Sequence, residues 1–304
     1  MTPLDRAIVR LLPAVPKPVV QLFAGRYIAG ATLDDAVRTV EVLNRDGKLA
    51  TIDVLGEEIT HEDEAWAISQ AYRDVFEEIR LRRLDANVSV KLTALGLDLS
   101  YELCRENLGD VVRHAASHGN FVRIDMEDSS TTDDTLRLYR ELRESGHDNV
   151  GVVLQAYLRR TLGDVRSLAD LKPNVRLCKG IYVEPPSLAF PDTEAVRASF
   201  VRSLDALLDA GAYVGVATHD EWLIGEALRR IEERALARNA YEFQMLLGVR
   251  ESRASELVAA GHRLRVYVPF GKHWYGYSLR RLQENPAMAG TIARATVGRV
   301  LGRG

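Results

Sequence analysis

The chain has 304 residues, of which 46% are hydrophobic and 27% charged, and its formal net charge at pH 7 is −3. This composition excludes a disordered chain and is typical of one large globular domain with a sizeable core. The weakly acidic balance gives no basic surface for nucleic acid. Cys104 and Cys178, the two cysteines, form no CxxC pair, which favours a reducing compartment and argues against a thiol metal or redox site.

The N-terminus is apolar enough to be tested as a secretory signal or a membrane anchor. Asp5 stands where a signal would be cationic, and Pro13, Lys17 and Pro18 interrupt the apolar run well before about 20 residues. We therefore expect an N-terminal helical arm over residues 1–45 that packs on the body of the protein. The expected location is the cytoplasm, with peripheral contact at the inner face of the membrane as a weaker alternative.

Short β-rich runs then alternate with amphipathic segments along the chain. The predicted strands are 50–55, 88–92, 121–126, 150–155, 175–179, 213–217, 241–245 and 264–268. Capping patterns at Thr32 with Asp35 and at Thr60 with Asp63 open the first two helices. Later helices are predicted at 100–117, from about 132, in a short stretch after the fourth strand, at 193–210, at 221–238, at 253–260 and after the last strand.

Eight strands, each followed by a helical stretch, indicate a parallel sheet covered on both faces. Eight such units in roughly 250 residues are the signature of an α/β fold, the (β/α)8 barrel. We place this barrel at residues 46–290 and a C-terminal tail at 291–304. A doubly wound sheet is the alternative fold, but no GxGxxG follows any strand, so a dinucleotide site of that kind has no support.

Ligand sites in such barrels lie at the carboxyl ends of the strands. Charged groups inside β-rich runs need partners or a ligand, because burying an unpaired charge is costly. Polar residues at or just beyond the predicted strand ends are Glu57, Lys91, Asp125, Glu127, Asp128, Gln155, Tyr157, Arg176, Lys179, Tyr182, Thr218, His219, Asp220, Gln244 and Tyr267. Any one of them fits a structural ion pair, but their convergence on one mouth indicates a site.

The helix after the last strand has a polar face. Tyr277, Arg280, Arg281 and Glu284 recur at i, i+3, i+4 and i+7 and share one side. Adjacent guanidiniums suit a carboxylate or phosphate, although alone this pattern favours a solvated helix face. Because the helix follows an eighth barrel strand, we predict that it lies over the barrel mouth with this face turned inward.

Two chemistries compete at this mouth. Lys91 or Lys179 could form a Schiff base in a lyase or aldolase, as strand-end lysines do in barrels. No paired general acid accompanies them, however. The many donors favour a large anionic cofactor together with a small anionic substrate. A barrel that only binds an amino acid or an anion is a third possibility.

Histidines offer little further chemistry in the sequence. His219 has no Ser or Cys elbow and no HExxH partner, so we expect it to contact a ligand. His114 and His118 lie at i and i+4 on a helix and could bind a metal. Their helix lies outside the barrel, away from the strand ends, so a solvated face is the favoured interpretation. No metal is expected.

Seven segments follow one another in the order VSVKLTALGLDLS, FVRIDMEDSS, VVLQAYLRRT, VRLCKGIYVEP, ATHD, YEFQMLLGV and YVPFGKHWYGYSLRRLQENP. In this order they resemble the proline dehydrogenase family, from about residue 45 to residue 290, in the single-function form. The resemblance implies a distorted (β/α)8 barrel with non-covalent FAD. It implies oxidation of L-proline to 1-pyrroline-5-carboxylate, transfer of electrons to a membrane quinone, and handover of the product to a separate pyrroline-5-carboxylate dehydrogenase.

The resemblance also implies roles for individual residues. Lys91, Arg280 and Arg281 match the groups that hold the proline carboxylate, and Glu57 matches an acidic partner of the first arginine. The residues that match walls around the pyrrolidine ring are Asp125, Tyr182, Leu246, Tyr267 and Tyr277, with Tyr267 at the position that helps to exclude hydroxyproline. The residues that match flavin contacts are Asp125, Gln155, Arg176, Lys179, Gly180, Thr218 and His219.

Overall fold

The fold is described from a computed structural model that covers residues 25–56, 59–272 and 274. Its strands are β1 (Leu49–Val54), β2 (Ala86–Val90), β3 (Val122–Ile124), β4 (Val150–Gln155), β5 (Asn174–Cys178), β6 (Tyr213–Ala217), β7 (Tyr241–Leu246) and β8 (Leu264–Phe270). Its α-helices are α1 (Leu33–Arg45), α2 (Glu62–Arg82), α3 (Tyr101–Ser117), α4 (Thr132–Glu144), α5 (Thr161–Ser167), α6 (Thr193–Asp209), α7 (Glu221–Glu233) and α8 (Glu251–Ala259). Single 3₁₀ turns span Thr93–Leu95 and Ala169–Leu171.

All eight strands are parallel, and each pairs with the next. β8 pairs with β1 in the register Leu49 to Arg265 through Val54 to Phe270, which closes the sheet into a barrel. The predicted (β/α)8 barrel is therefore confirmed, and the doubly wound alternative is wrong. Closure leaves no edge strand, so the backbone groups of every strand find partners on both sides.

Helix α1 occupies an unusual place for a helix that precedes the barrel. It packs against the outside of β8 and β1, with Ala36, Val37 and Val40 buried in the main core. In a regular barrel, the helix that follows the last strand covers this position. Residues 273 and 275–304, which include Tyr277, Arg280, Arg281 and Glu284, lie outside the described part, as do residues 1–24, Glu57 and residue 58. The prediction that the last helix covers the mouth therefore stays a prediction.

The strands place apolar and polar side chains on opposite sides of the barrel. Val88, Val122 and Val214 are fully buried in the core between strands and helices. Alternate positions carry charges that reach across the barrel, since Arg176 on β5 bonds Ser89 on β2 and Gln244 on β7. Side chains alternate along a strand, so this barrel has an apolar outer face and a polar, hydrogen-bonded interior.

The lower interior layer, near the strand starts, is a network of buried ions. Arg265 donates to Glu242 through Nε at 2.7 Å and Nη2 at 3.1 Å, and to the carbonyl oxygen of Ala50 at 2.7 Å. Glu242 also accepts from the Tyr213 hydroxyl at 3.0 Å. Burial, with Arg176 nearby, lowers the pKa of Arg123 to about 9. This layer closes the lower end of the barrel with paired charges.

Helix ends follow local capping chemistry, with two corrections to the sequence prediction. The Thr32–Asp35 capping box of α1 is confirmed. The one predicted for α2 is wrong by one residue, because Glu64, not Asp63, accepts from the backbone N–H groups of Thr60 at 2.8 Å and His61 at 3.0 Å. Helix α7 ends at Glu233 rather than 238, since Ala235 adopts a left-handed φ of 48°.

Smaller boundary differences occur elsewhere. β3 ends at Ile124, so Asp125 lies just beyond the strand, where its N–H donates to the carbonyl oxygen of Val90 at 2.9 Å. α8 begins at Glu251 rather than 253. Within the described ranges, no helix combines the length and the apolar character that crossing a membrane requires.

We predict that Glu242→Gln lowers the free energy of unfolding by about 3–5 kcal/mol, because Arg265 would remain buried without its carboxylate. Urea unfolding followed by circular dichroism measures this change. Glu256→Gln is the matched control, since the exposed Glu256 pairs with Arg253 at the surface and should contribute less than about 1 kcal/mol. A loss below about 1 kcal/mol for Glu242→Gln would contradict the structural role of the pair.

The stabilisation of the fold by Arg265 and Glu242 depends on pH. Burial would raise the pKa of Glu242, but Arg265 outweighs it and holds that pKa below its usual value. A carboxyl whose pKa is lower in the folded state stabilises the fold above its unfolded pKa of about 4.3, and this contribution is lost as pH falls through the folded pKa. The difference in the free energy of unfolding between wild type and Glu242→Gln should therefore become smaller in acid.

Candidate active site

Asp125 is the centre of the upper polar layer at the strand ends. Its Oδ1 accepts from Ser89 Oγ at 2.6 Å and from Arg176 Nη1 at 2.6 Å, and its Oδ2 accepts from the Tyr267 hydroxyl at 2.9 Å. The Arg176 guanidinium also lies 5.3 Å from the centroid of the Tyr267 ring. Three predicted site residues, Asp125, Arg176 and Tyr267, thus form one hydrogen-bonded group.

Arg176 is held from both sides of the barrel. Its Nε donates to Gln244 Oε1 at 2.5 Å, and its Nη1 also reaches Ser89 Oγ at 3.2 Å. Its side chain is 9% exposed, so the charge is nearly dehydrated and is balanced by Asp125. A guanidinium held by this many hydrogen bonds keeps its position when a ligand binds nearby.

Lys91 follows β2, and its ion-pair partner is a residue that the sequence did not predict as part of the site. Its Nζ lies 3.1 Å from Oδ2 of Asp53, whose side chain is completely buried. The hydroxyl of Tyr72, on α2, donates to the other oxygen at 3.3 Å. Burial raises the pKa of Asp53, although the charge of Lys91 opposes it. A lone Asp within the apolar β1 run was the signal that could have revealed this partner.

The pairing of Lys91 bears on the Schiff-base alternative. A lysine that attacks carbonyl groups is activated by an apolar pocket or by a neighbouring cation, either of which favours the neutral amine. Asp53 does the reverse, because a carboxylate at 3.1 Å favours the ammonium form. The geometry at Lys91 therefore suits electrostatic binding of an anion and not nucleophilic attack.

Gln155 is the last residue of β4. One of its two side-chain amide atoms has hydrogen-bond partners, and the other has none among the described residues. Its Nε2 donates to the carbonyl oxygens of Met126 at 2.8 Å and Glu127 at 2.9 Å. Its Oε1 is buried and has no hydrogen-bond partner among the described residues, and the same holds for the Tyr157 hydroxyl. A buried acceptor left unpaired costs free energy, so such an atom at a strand end suggests a ligand that donates to it.

Gly180 allows the loop after β5 to approach Tyr157 closely. Its φ is +101°, and a Cβ at this position would lie 2.0 Å from Cδ1 of Tyr157. Only glycine combines this backbone conformation with that approach. Tyr182 follows on the same loop and packs with Tyr157 and Leu158.

A second hydrogen-bonded group lies at the ends of β5, β6 and β7. Nε2 of His219 accepts from the N–H of Leu246 at 3.0 Å, so the ring proton of the neutral form is on Nδ1. Lys179 Nζ lies 3.6 Å from Asp220, which also accepts two hydrogen bonds of 2.9 Å from Arg197. Thr218 Oγ1 accepts from the N–H of Asp220 at 3.1 Å. Lys179, Thr218, His219 and Leu246 are thereby fixed at one side of the mouth.

The charge of Lys179 is available to solvent and ligands because its side chain is 41% exposed. Burial would raise the pKa of Asp220, but the hydrogen bonds from Arg197 and the charge of Lys179 outweigh it and lower that pKa. Arg197 is a contributor that the sequence analysis missed, because it lies within helix α6 and not at a strand end. No local pattern signals such a contact.

Comparison with known proteins decides the family. A family model described as proline dehydrogenase matches residues 36–294, which is most of the chain. The chain belongs to the proline dehydrogenase family. It is 40% identical over 274 residues to proline dehydrogenase 1 of Bacillus subtilis (strain 168), covering 90% of each protein. It is 37% identical over 275 residues to proline dehydrogenase of Deinococcus radiodurans, covering 89% of each.

Solved structures agree with this family assignment. The fold resembles proline utilization A from Bdellovibrio bacteriovorus inactivated by N-propargylglycine, with a TM-score of 0.81 and 27% identity over 86% of this chain. A mutant of proline utilization A from Bradyrhizobium japonicum gives a TM-score of 0.74 at 23% identity over 86% of this chain, which supports the fold alone. The chain spans about a third of the length of these structures, 32% and 30% respectively.

We predict that Gly180→Ala lowers the free energy of unfolding by at least about 1 kcal/mol, because the added methyl group meets Tyr157 and the φ is unfavourable. Gly225→Ala is the control. Gly225 is exposed within α7 with open space around its Cβ position, so alanine should stabilise by about 0.5–1 kcal/mol. Equal effects of the two substitutions in urea unfolding would contradict the proposed packing of this loop.

Proposed function

We propose that this chain catalyses the FAD-dependent oxidation of L-proline to 1-pyrroline-5-carboxylate and passes the electrons to a membrane quinone. The reaction removes two hydrogens from the pyrrolidine ring and turns its C–N single bond into a C=N double bond. Membership of the proline dehydrogenase family carries this proposal. The polar groups at the barrel mouth supply the chemistry that it needs.

The substrate carboxylate would be bound by cations. Lys91 is held at the end of β2 by its ion pair with Asp53. By resemblance, Arg280 and Arg281 supply two further cations. Charge-assisted hydrogen bonds contribute about 1.5–3 kcal/mol each, so three of them can orient a small ligand that offers few other polar groups.

The pyrrolidine ring would lie against the aromatic and aliphatic side chains at the mouth. Tyr267 is oriented by its hydrogen bond to Asp125, and Leu246 by the bond from its N–H to His219. Tyr182 and Tyr277 complete the predicted walls. Because the side chains around Asp125 are mutually hydrogen-bonded, the ring would meet a rigid surface, and positioning of this kind supplies much of an enzymatic rate.

The strand ends also fit a flavin. Oε1 of Gln155, which no described residue pairs, is a buried acceptor suited to an N–H of a heterocyclic ring. Asp125, Arg176, Thr218 and His219 lie at the same strand ends, Gly180 lies on the loop after β5, and the exposed charge of Lys179 suits the phosphates of a dinucleotide. When bound, FAD would accept the hydride, and the fixed charge of Arg176 would stabilise the negative charge of its reduced form.

The electron acceptor and the next enzyme are part of the same proposal. A quinone of the membrane would reoxidise the flavin, which requires peripheral contact of a cytoplasmic protein with the inner face of the membrane. The product would pass to a separate pyrroline-5-carboxylate dehydrogenase. The E. coli relative matched at 24% identity is named bifunctional protein PutA, and this chain covers 26% of it.

We predict that the purified protein, loaded with FAD, shows the blue and near-ultraviolet absorption bands of oxidised flavin and that L-proline bleaches them. Anaerobic titration in a spectrophotometer measures this change, and D-proline serves as the control ligand. A colourless protein that takes up no FAD would rule the proposal out. Borohydride trapping of a substrate adduct on Lys91 or Lys179 would instead support the Schiff-base alternative.

We further predict that Lys91→Met, Arg280→Met and Arg281→Met each raise the KM for L-proline by about ten- to a hundredfold, the loss of one charged hydrogen bond. Flavin content, measured from the absorption spectrum, should stay unchanged. Arg263→Met is the matched control, because Arg263 is exposed beside the start of β8, away from the mouth. An unchanged KM in both arginine variants would exclude the carboxylate role of that pair.

A further inference from the structure

Three potential metal ligands meet on the outer surface of the barrel, between helices α2 and α3. They are Glu77 of α2, His114 of α3 and His118, the residue that follows α3, and their ligand atoms lie within 4.8 Å of one another. The expectation that the two histidines form a solvated face is wrong. Both are half-buried, and the His118 side chain is only 12% exposed because it faces α2.

The hydrogen bonds of His118 determine which of its nitrogens carries a proton. Nδ1 lies 2.9 Å from the carbonyl oxygen of His114. A carbonyl oxygen only accepts, so Nδ1 is the donor. The Ser117 hydroxyl, 3.0 Å from the same nitrogen, donates its own proton to that carbonyl at 2.7 Å. In the neutral ring Nε2 therefore has a lone pair and no hydrogen.

This lone pair faces a carboxylate. Nε2 of His118 lies 3.0 Å from Oε1 of Glu77. Two acceptors at this distance repel each other unless a cation lies with them, either a proton on the ring or a metal ion. A histidine whose Nδ1–H is bonded to a backbone carbonyl while Nε2 faces outward has the arrangement that metal-ligating histidines adopt.

His114 supplies the observation that distinguishes a metal from a proton. Its Nε2 is buried and has no hydrogen-bond partner among the described residues. The rings of His114 and His118 lie 4.5 Å apart between centroids, with Phe76 6.0 Å behind the His114 ring. A proton shared by His118 and Glu77 leaves this buried nitrogen unsatisfied. A metal ion bound by Glu77, His118 and Nε2 of His114 would satisfy it.

We propose that Glu77, His114 and His118 bind one divalent transition-metal ion, for which Zn²⁺ is the best match. Two imidazole nitrogens and one carboxylate oxygen form a ligand set that zinc accepts, with a water in the fourth position. Zinc bonds of about 2.0–2.1 Å at tetrahedral angles place ligand atoms about 3.3 Å apart. The Glu77–His118 pair is already near this spacing at 3.0 Å, and no two of the three ligand atoms lie more than 4.8 Å apart.

The surroundings support a structural ion. Arg80 holds the second carboxylate oxygen of Glu77 at 3.0 Å, which leaves Oε1 directed at His118. One helical turn earlier, Arg73 of α2 donates through Nε to Asp110 of α3 at 3.1 Å. An ion next to this pair would link α2 to α3 a second time. Because these helices pack outside the barrel and the proposed active site lies at the strand ends, binding should change stability and not turnover.

The test uses the untagged, FAD-loaded full chain after treatment with EDTA, since an oligohistidine tag would itself bind the ion. Equilibrium dialysis against Zn²⁺ with elemental analysis measures stoichiometry and affinity. We expect one ion per chain at micromolar free Zn²⁺, and His114→Gln, His118→Gln and Glu77→Gln should each weaken binding by about tenfold or more. His61→Gln is the matched control, because His61 is exposed at the start of α2 and its substitution should leave binding unchanged.

Thermal unfolding provides a readout that does not depend on activity. Zn²⁺ should raise the unfolding midpoint of the wild type and of His61→Gln, but not of His114→Gln or His118→Gln. Proline-dependent dye reduction should be the same in all of them. No bound zinc at 100 µM free ion, or equal binding by wild type and both histidine variants, would overturn the proposal and leave a protonated His118 paired with Glu77.

Discussion

The ion pair between Asp125 and Arg176 lies at the centre of the barrel, and the upper part of the structure depends on it. At 2.6 Å and nearly free of solvent, it is stable only because other groups complete its hydrogen bonds. Ser89, Gln244 and Tyr267 supply them from three further strands. Removing any of these partners would leave a buried charge incompletely satisfied. The pair therefore ties five strands together at the level where a ligand would bind.

The barrel interior has two polar levels, which differ in how their polar groups are paired. In the lower level, Arg265 and Glu242 neutralise each other and close the barrel. In the upper level, the buried Oε1 of Gln155 has no hydrogen-bond partner among the described residues, so it is available to a donor on a ligand at the mouth. The lower layer contributes to the stability of the barrel, and the upper layer holds the polar groups that a ligand could contact. A rigid lower layer thus keeps the ligand-contacting groups in fixed positions.

The outer face follows a different rule, since its helices pack on the strands through apolar contacts. Polar contacts between helices are not needed for this packing, so each requires its own explanation. The Arg73–Asp110 pair is an ordinary inter-helical ion pair. The cluster of Glu77, His114 and His118 is not, because Nε2 of His114 is buried and has no hydrogen-bond partner in the part of the chain that the structure describes. A site between two helices is compatible with the fold because it adds a link without disturbing the strands.

Local patterns carried most of the fold prediction. The capping box at Thr32 and the strand positions depend on neighbours in sequence, so they were visible without the structure. The second capping box was placed one residue early, because Asp63 and Glu64 are equally good acceptors and only the N-cap position of His61 selects between them. Asp53 was missed as the partner of Lys91, since the two lie 38 residues apart and meet only after β1 and β2 pair.

The sequence by itself determined the alternation of strands and helices, the barrel class and the set of polar residues at the strand ends. Each of these follows from side-chain periodicity and from the chemistry of nearby residues. Only the tertiary structure decided which of these polar groups pair with each other, since closing the barrel brings Asp125, Arg176 and Tyr267 together from distant strands. It also decided that His118 faces helix α2 rather than solvent, because helix packing and not helical periodicity sets that contact.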